Sequence, residues 1–434
     1  MISRRNRLRF FSSALWKQRI IFLGGAIVVG LVASGFAIIC ERFQHFFDQL
    51  LTISRFLPLL VTPLGFILCA FLTGRYFPGA QGSGIPQTIA ARKSRDLNIR
   101  NKLVSPKIAA GKLLLVPLGL MFGASIGREG PTVQIGAAIM LTCGKFFGRS
   151  KQHGLILAGG AAGIAAAFNT PLAGIVFAIE ELSRSFERRT NSLVLTAIIF
   201  AGISSMAVLG NYTYFGTTSA NLDNHAWSAI IVCGLGGGLM GGLFSRFVIA
   251  AFSYRLPWGV GTMMKRHPYL FAGLCGLMVA IMGVYSHNTI YGSGYHEAHD
   301  LIEGGASVPW FFGLLKMAAT ALSSVSGIVG GFFAPSLATG AGFGANVAVF
   351  FPNLPVAALV MLGMVSYFSG IVQAPITSFV IVFEMTNNHA MIVPIMAASL
   401  IASVASKLVC PKPIYHTLAE TALHQIMPPK ASAE

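Results

Sequence analysis

Arg128 and Glu129 stand alone as charges in an otherwise uncharged, largely apolar stretch from Leu113 to Gly144. They sit in Gly127-Arg-Glu-Gly-Pro131, an adjacent cation and anion flanked by glycines and closed by a proline. Gly-Pro before a small and β-branched run predicts a helix start, with Pro131 in the first turn. A helix N-terminus presents free N–H groups and partial positive charge, so it suits a small anion. The chemistry implied is competition between the Glu129 carboxylate and such an anion for one site. A carboxyl group deprived of water holds its proton more readily unless a cation or hydrogen bonds offset the loss. A carboxylate in this setting can therefore relay protons.

Only fourteen Asp and Glu residues occur, so each can be assigned a place. Asp223, Glu297, Asp300 and Glu303 fall in loops without Lys or Arg, and Asp96 and Glu187 in basic loops. Glu41, Asp48, Glu420 and Glu434 lie at run ends or termini. Glu129, Glu180, Glu181 and Glu384 remain within or at the edge of apolar runs. Arg184 lies four residues from Glu180 and three from Glu181, the spacing of helix-surface ion pairs. From the residues alone, a structural ion pair and a proton-carrying role both fit Glu181. Glu384 reads as structural.

The surrounding elements set the medium. Of 434 residues, 54% are hydrophobic and 10% charged, against about 25% charged in soluble domains. Apolar runs of spanning length recur: Ile20–Cys40, Phe56–Thr73, Ile108–Ile126, Leu155–Ile179, Ser192–Leu209, Ala226–Phe252, Tyr269–Tyr285 and Val356–Phe383. The chain is expected to be an all-α polytopic membrane protein. The net charge of +17 is concentrated in the N-terminal tail and a few short loops, which fits a cytoplasmic bias and anionic lipid rather than nucleic acid. The six cysteines are scattered without a CxxC pair and read as small buried residues, with no metal site expected. Ala33-Ser-Gly35 resembles a signal cleavage site, but the apolar run continues to Cys40, so a retained first helix is expected.

Compared with itself at an offset of 204 residues, the chain repeats. Gly127 falls on Gly331, Pro131 on Pro335, Gly136-Ala137 on Gly340-Ala341, Asn169-Thr-Pro171 on Gln373-Ala-Pro375 and Glu180 on Glu384. With a six-residue shift, Gly82-Ser-Gly84 meets Gly292-Ser-Gly294. The basic linker Arg92–Lys107 corresponds to a segment holding only Lys316, so the halves are expected to insert with opposite orientation. The expected division is a basic tail (1–19), a first inverted repeat (20–215), a second (216–420) and a C-terminal tail (421–434). Inverted repeats with broken helices suit transporters whose site lies between the halves. Breaks at Gly79–Pro86, Gly127–Pro131 and Gly327–Pro335 can bring several helix N-termini to one point. Such donors carry no full charge and suit chloride, which must bind and leave.

Together these motifs resemble the CLC family of chloride channels and chloride/proton antiporters, over roughly Ile20–Ala419. Gly82-Ser-Gly-Ile-Pro86, Gly127–Pro131 and Gly331-Phe-Phe-Ala-Pro335 look like the family's three anion-binding motifs, and Tyr415 like the tyrosine completing its pore. The resemblance implies that the Ser83 and Tyr415 hydroxyls and the Phe332 and Phe333 amides hold a central chloride. The backbones of Arg128, Gly130 and Ala334 would line the outer path. Glu129 would be the external gate and Glu181 the internal proton acceptor, which favours antiport over a channel. Ser83 points to chloride rather than nitrate or fluoride. The resemblance further implies a homodimer with tilted helices and one pathway per subunit. The expected placing is the inner cell membrane, multi-pass, with both termini cytoplasmic and no cofactor beyond the transported chloride and protons.

Three positions depart from the family pattern: Gln87 for a frequent glutamate, Phe332 for Ile or Leu, and Gly327-Ile-Val-Gly330 without a proline. Nothing resembles eukaryotic cytoplasmic regulatory domains, so a prokaryotic-type protein is expected. A passive voltage- or pH-gated chloride channel is the competing reading on the same fold. A membrane enzyme would need a metal or nucleophile cluster; HExxH is absent and the histidines lie mostly in loops, so no enzyme is expected.

Overall fold

The computed structural model describes residues 13–146, 152–183, 188–222, 226–257, 259–304 and 308–426. Among these it is helical throughout, with two isolated β-bridges and no extended strand. In chain order the main helices are α1 (Ser13–Ile53), α2 (Pro58–Tyr76), α3 (Ile85–Lys93), α4 (Pro106–Met121), α5 (Glu129–Cys143) and α6 (Gln152–Phe168). Next come α7 (Pro171–Phe177), α8 (Arg188–Leu209), α9 (Trp227–Phe252), α10 (Pro268–Tyr285), α11 (Tyr295–Glu303) and α12 (Phe312–Val325). The last are α13 (Phe333–Ala348), α14 (Val356–Val372), α15 (Pro375–Thr386), α16 (Ile392–Val409) and α17 (Ile414–Ile426). Six helical segments are long and apolar enough to cross a membrane, and many leucines, isoleucines and valines on α1, α2, α9 and α10 face outward. That outward apolar surface is what a lipid-facing helix needs.

Helix starts recur at the offset read in the sequence: α5 and α13, α6 and α14, α7 and α15 each begin 204 residues apart. The packing recurs too. A Cβ at Gly136 would lie 2.3 Å from the Gly159 carbonyl oxygen, and one at Gly340 would lie 2.5 Å from that of Gly363. These glycines let α5 close on α6 and α13 on α14, the small-residue packing by which helices associate without a hydrophobic drive from water. Gly159, Gly160 and Gly163 of α6 likewise leave no room for a Cβ without a close contact to neighbouring elements.

Several runs end differently from the expectation. Leu155–Ile179 and Val356–Phe383 are each broken. Asn169 and Gln373 adopt left-handed backbone, both with φ 57°, and Pro171 and Pro375 then start short new helices. α1 runs on to Ile53 and so carries Glu41 and Asp48 within it. The segment holding Glu297, Asp300 and Glu303 is α11, not a loop. α17 continues to Ile426, past the expected boundary at residue 420, and α1 begins inside the expected tail at Ser13.

The two glutamates at equivalent positions, Glu180 and Glu384, tie the halves together. Glu180 accepts the backbone N–H groups of Ile376 and Thr377 at 3.2 and 2.6 Å. Glu384 accepts those of Leu172 and Ala173 at 3.0 and 2.7 Å. Each carboxylate caps the proline-initiated helix of the other half, where free N–H groups and the helix dipole favour an anion. Glu180 is thus a cap across the halves. Arg184, its expected ion-pair partner, lies outside the described residues.

Candidate anion and proton site

Three glycine motifs meet at the centre. Gly127 and Gly331 exchange backbone hydrogen bonds, N–H of Gly127 to the Gly331 carbonyl at 2.6 Å and the reverse at 2.9 Å. Gly82 donates to the Ile328 carbonyl at 3.1 Å and accepts from Gly330 at 3.3 Å. These bonds bring together the N-termini of α3, α5 and α13, while α17 presents Tyr415 in its first turn. Gly84 is demanded by geometry: its φ of +106° is left-handed, and a Cβ there would lie 2.9 Å from the Gly130 carbonyl oxygen. The buried Lys112 ammonium fixes the first motif by donating to the Gly82 carbonyl at 2.8 Å. Its equivalent, Lys316, donates to the carbonyls of Ile290, Tyr291 and Gly292 at 2.9, 3.1 and 2.9 Å.

The side chains of the expected chloride site gather at this junction. Ser83 is buried, and a Cβ at Gly130 would lie 2.2 Å from its Oγ, so the hydroxyl rests against the first turn of α5. Phe332 stacks on the Tyr415 ring, with centroids 5.3 Å apart and planes 13° apart. The hydroxyls of Ser83 and Tyr415 are buried yet find no hydrogen-bond partner within the protein. Buried polar atoms are almost always satisfied, so two orphans at converging helix N-termini mark a place for an external acceptor. An anion takes hydrogen bonds from both hydroxyls and repels neither helix end.

Glu129 is fully buried at the start of α5. Its carboxylate lies against the first turn of α13: one oxygen would be 2.3 Å from a Cβ on Gly127, and the Ala334 amide is 3.4 Å from the same point. A carboxylate is thus seated beside the backbone donors that the anion motifs supply. Arg128 turns away, donating through Nη1 to the Ala37 carbonyl of α1 at 2.9 Å. Its backbone, not its guanidinium, caps the site.

Two cavities approach this centre. One of about 800 Å³ is lined by Ser83, Pro86, Gln87, Phe332 and the α17 residues Leu418 and Thr421. The other, of about 620 Å³, reaches Arg128 and Glu129 between Tyr212, Tyr214 and Tyr295. Ser83 thus lines one cavity and Glu129 the other.

Glu181 is fully buried in a π-helical turn, Ala178–Ser183, that follows α7. Such turns interrupt regular hydrogen bonding and often occur at functional sites. Tyr415 lies within electrostatic range of both Glu181 and Glu129. Tyr214, Phe168, Phe333 and Phe177 contact in series, with centroids 5.1, 5.1 and 6.4 Å apart. The three phenylalanine rings of this series carry no hydrogen-bond donor.

Two neighbours of the glutamates were not singled out from the sequence. Tyr214, buried, donates to Glu129 Oε1 at 3.4 Å. It comes from the irregular stretch between α8 and α9, and nothing in its local sequence marks it. His416 lies 3.5 Å from Glu181 Oε1, and a histidine one residue after Tyr415 in an apolar region was a usable signal.

A helical membrane protein with helix N-termini, orphan hydroxyls and a buried carboxylate at one point belongs to the class that handles small anions. The family follows from comparison. Residues 64–407 match the voltage gated chloride channel family model, and the chain belongs to that family, the CLC proteins. It is 30% identical over 435 residues to the H(+)/Cl(-) exchange transporter ClcA of Yersinia pestis bv. Antiqua (strain Angola), covering 93% of this chain and 88% of that one. It is 31% identical over 442 residues to ClcA of Vibrio vulnificus (strain YJ016), covering 94% and 91%. Among solved structures, a slow cyanobacterial Cl-/H+ antiporter superposes with TM-score 0.79 at 26% identity, over 94% of this chain and 99% of that one. A CLC-type fluoride/proton antiporter has the same fold, with TM-score 0.79 at 24% identity over 93% and 98% of the two chains.

Proposed function

We propose that this protein is a secondary active transporter that exchanges chloride for protons, with Glu129 as external gate and Glu181 as internal proton acceptor. The observation that carries this reading is the Glu129 carboxylate seated against the first turn of α13, at the motif junction that also holds the orphan hydroxyls of Ser83 and Tyr415. A site that takes either a carboxylate or chloride makes the two occupancies exclusive. Protonation removes the Glu129 charge, and the helix ends then favour chloride instead. Chloride is held centrally by Ser83, Tyr415 and the Phe332 and Phe333 amides. The backbones of Arg128, Gly130 and Ala334 line the outer path. The buried Glu181 receives protons from the other side. The relatives named as H(+)/Cl(-) exchange transporters support exchange over passive conduction.

The same reading makes the protein a non-enzyme without a cofactor, working as a homodimer in the inner cell membrane. On this reading residues 20–215 and 216–420 are two inverted repeats, and the basic loops and both termini face the cytoplasm. Reconstitution into liposomes tests it: an imposed chloride gradient should drive protons uphill. Chloride flux that moves no protons assigns a channel instead.

A further inference from the structure

The π-helical turn that carries Glu181 is gripped from two sides. On one, the Arg92 guanidinium at the end of α3 donates to the Leu182 and Ser183 carbonyls at 3.1 and 3.2 Å and to Ser183 Oγ at 2.9 Å. On the other, His416 Nε2 donates to the Glu181 backbone carbonyl at 2.9 Å and lies 3.5 Å from the same residue's Oε1. The imidazole thus faces both the main chain and the carboxylate of one residue. Its side chain is 9% exposed where that of Glu181 is wholly covered, so it is the outer member of the pair.

We propose that His416 is the positioning residue of the internal proton site: it holds the Glu181 turn through Nε2 and, when protonated, serves as counter-cation to the Glu181 carboxylate. The proposal rests on the assignment of Glu181 as the proton acceptor. Neutral His416 keeps one N–H on the backbone carbonyl and adds no charge beside the carboxylate. Protonated His416 places a unit charge 3.5 Å from Oε1 and favours the ionised carboxylate. The two groups therefore bind protons against each other, and the internal pH at which Glu181 loads is set by the pair.

Other titratable and charged groups stand on the elements packed against α17, among the described residues. On α3, Arg92 hydrogen-bonds Leu182 and Ser183 on the same turn, and its charge is common to the wild type and all variants; Lys93 lies at the helix end. On α9 the charged residue is Arg246, which is exposed, and on α14 the titratable residue is the buried Tyr367. On α17 itself, Tyr415 stacks with Phe332, Glu420 is exposed, and His424 lies in the last turn. On the turn, Glu180 caps α15.

The test is proton transport driven by a fixed chloride gradient in liposomes, read against internal pH, for the wild type, His416→Gln, His416→Lys and Glu181→Gln. Gln can still donate to the Glu181 carbonyl but carries no charge. Its half-maximal internal pH should rise by about 1 unit, the lower end of the effect of removing a nearby opposite charge. Lys supplies a permanent cation and should move the midpoint the other way. Opposite shifts separate a charge role from a folding defect, which lowers rates without moving midpoints. Midpoints equal to wild type in both His416 variants overturn the proposal. Glu181→Gln checks the foundation separately: it should stop proton movement, and retained proton coupling there removes the Glu181 assignment itself, whatever the His416 variants do.

Discussion

Neighbouring glutamates with opposite fates offer a sharp perturbation. Glu180 and Glu181 differ by one position, yet Glu180 caps α15 while Glu181 is buried beside His416. Glu180→Ala removes an acceptor from two backbone N–H groups at 3.2 and 2.6 Å. Hydrogen bonds to a charged group contribute about 1.5–3 kcal/mol each. Loss of an N-cap costs about 0.5–2 kcal/mol. The longer bond is the weaker one, and the Ile376 side is exposed, so the expected cost is about 2–4 kcal/mol. The assay pairs thermal unfolding of the purified protein in detergent with proton/chloride coupling in liposomes. Glu180→Ala should melt earlier while the molecules that remain folded keep their coupling ratio. Glu181→Ala should melt near wild type, retain chloride flux and lose proton movement. Unchanged melting with lost coupling in Glu180→Ala would refute the assignment of the two roles.

Further predictions follow from the same geometry. Glu384→Ala, which removes the equivalent cap from Leu172 and Ala173, should destabilise by a similar amount and leave coupling alone. Tyr415→Phe and Ser83→Ala each delete one orphan hydroxyl, and chloride affinity measured by calorimetry should fall roughly 10- to 100-fold, equivalent to about 1.5–3 kcal/mol for a hydrogen bond to an ion. Gly84→Ala forces a Cβ into a left-handed position against Gly130, and about 1–2 kcal/mol of backbone strain alone should reduce folded yield and chloride binding together. Glu129→Gln makes the gate permanently neutral, so chloride flux should persist, become insensitive to external pH and carry no protons.

The legible parts of the sequence were those written locally. Each glycine-proline break names a place where a helix must stop or restart, and Gly127–Pro131 and Gly331–Pro335 meet in space as their shared offset suggests. Proline at 171 and 375, with left-handed Asn169 and Gln373 before it, splits runs that hydrophobicity alone left continuous. Glu180 was less legible because its partners lie 196 and 197 residues away, whereas Arg184 is close enough to suggest a local pair. The Tyr214–Glu129 contact spans 85 positions and has no periodic or compositional signature. The adjacent Arg128 hydrogen-bonds the Ala37 carbonyl, 91 positions away, while its charge still acts on the Glu129 carboxylate. The roles of Ser83 and Tyr415 came from family resemblance; the structure contributes their burial and their lack of a protein partner.

The exchange reading stands on one quantity, the coupling between chloride and proton movement. In liposomes loaded with high chloride and diluted into low chloride at equal pH, chloride efflux should pull protons inward and acidify the lumen against the developing pH gradient. Chloride efflux that leaves lumenal pH unchanged when membrane voltage is clamped would contradict it.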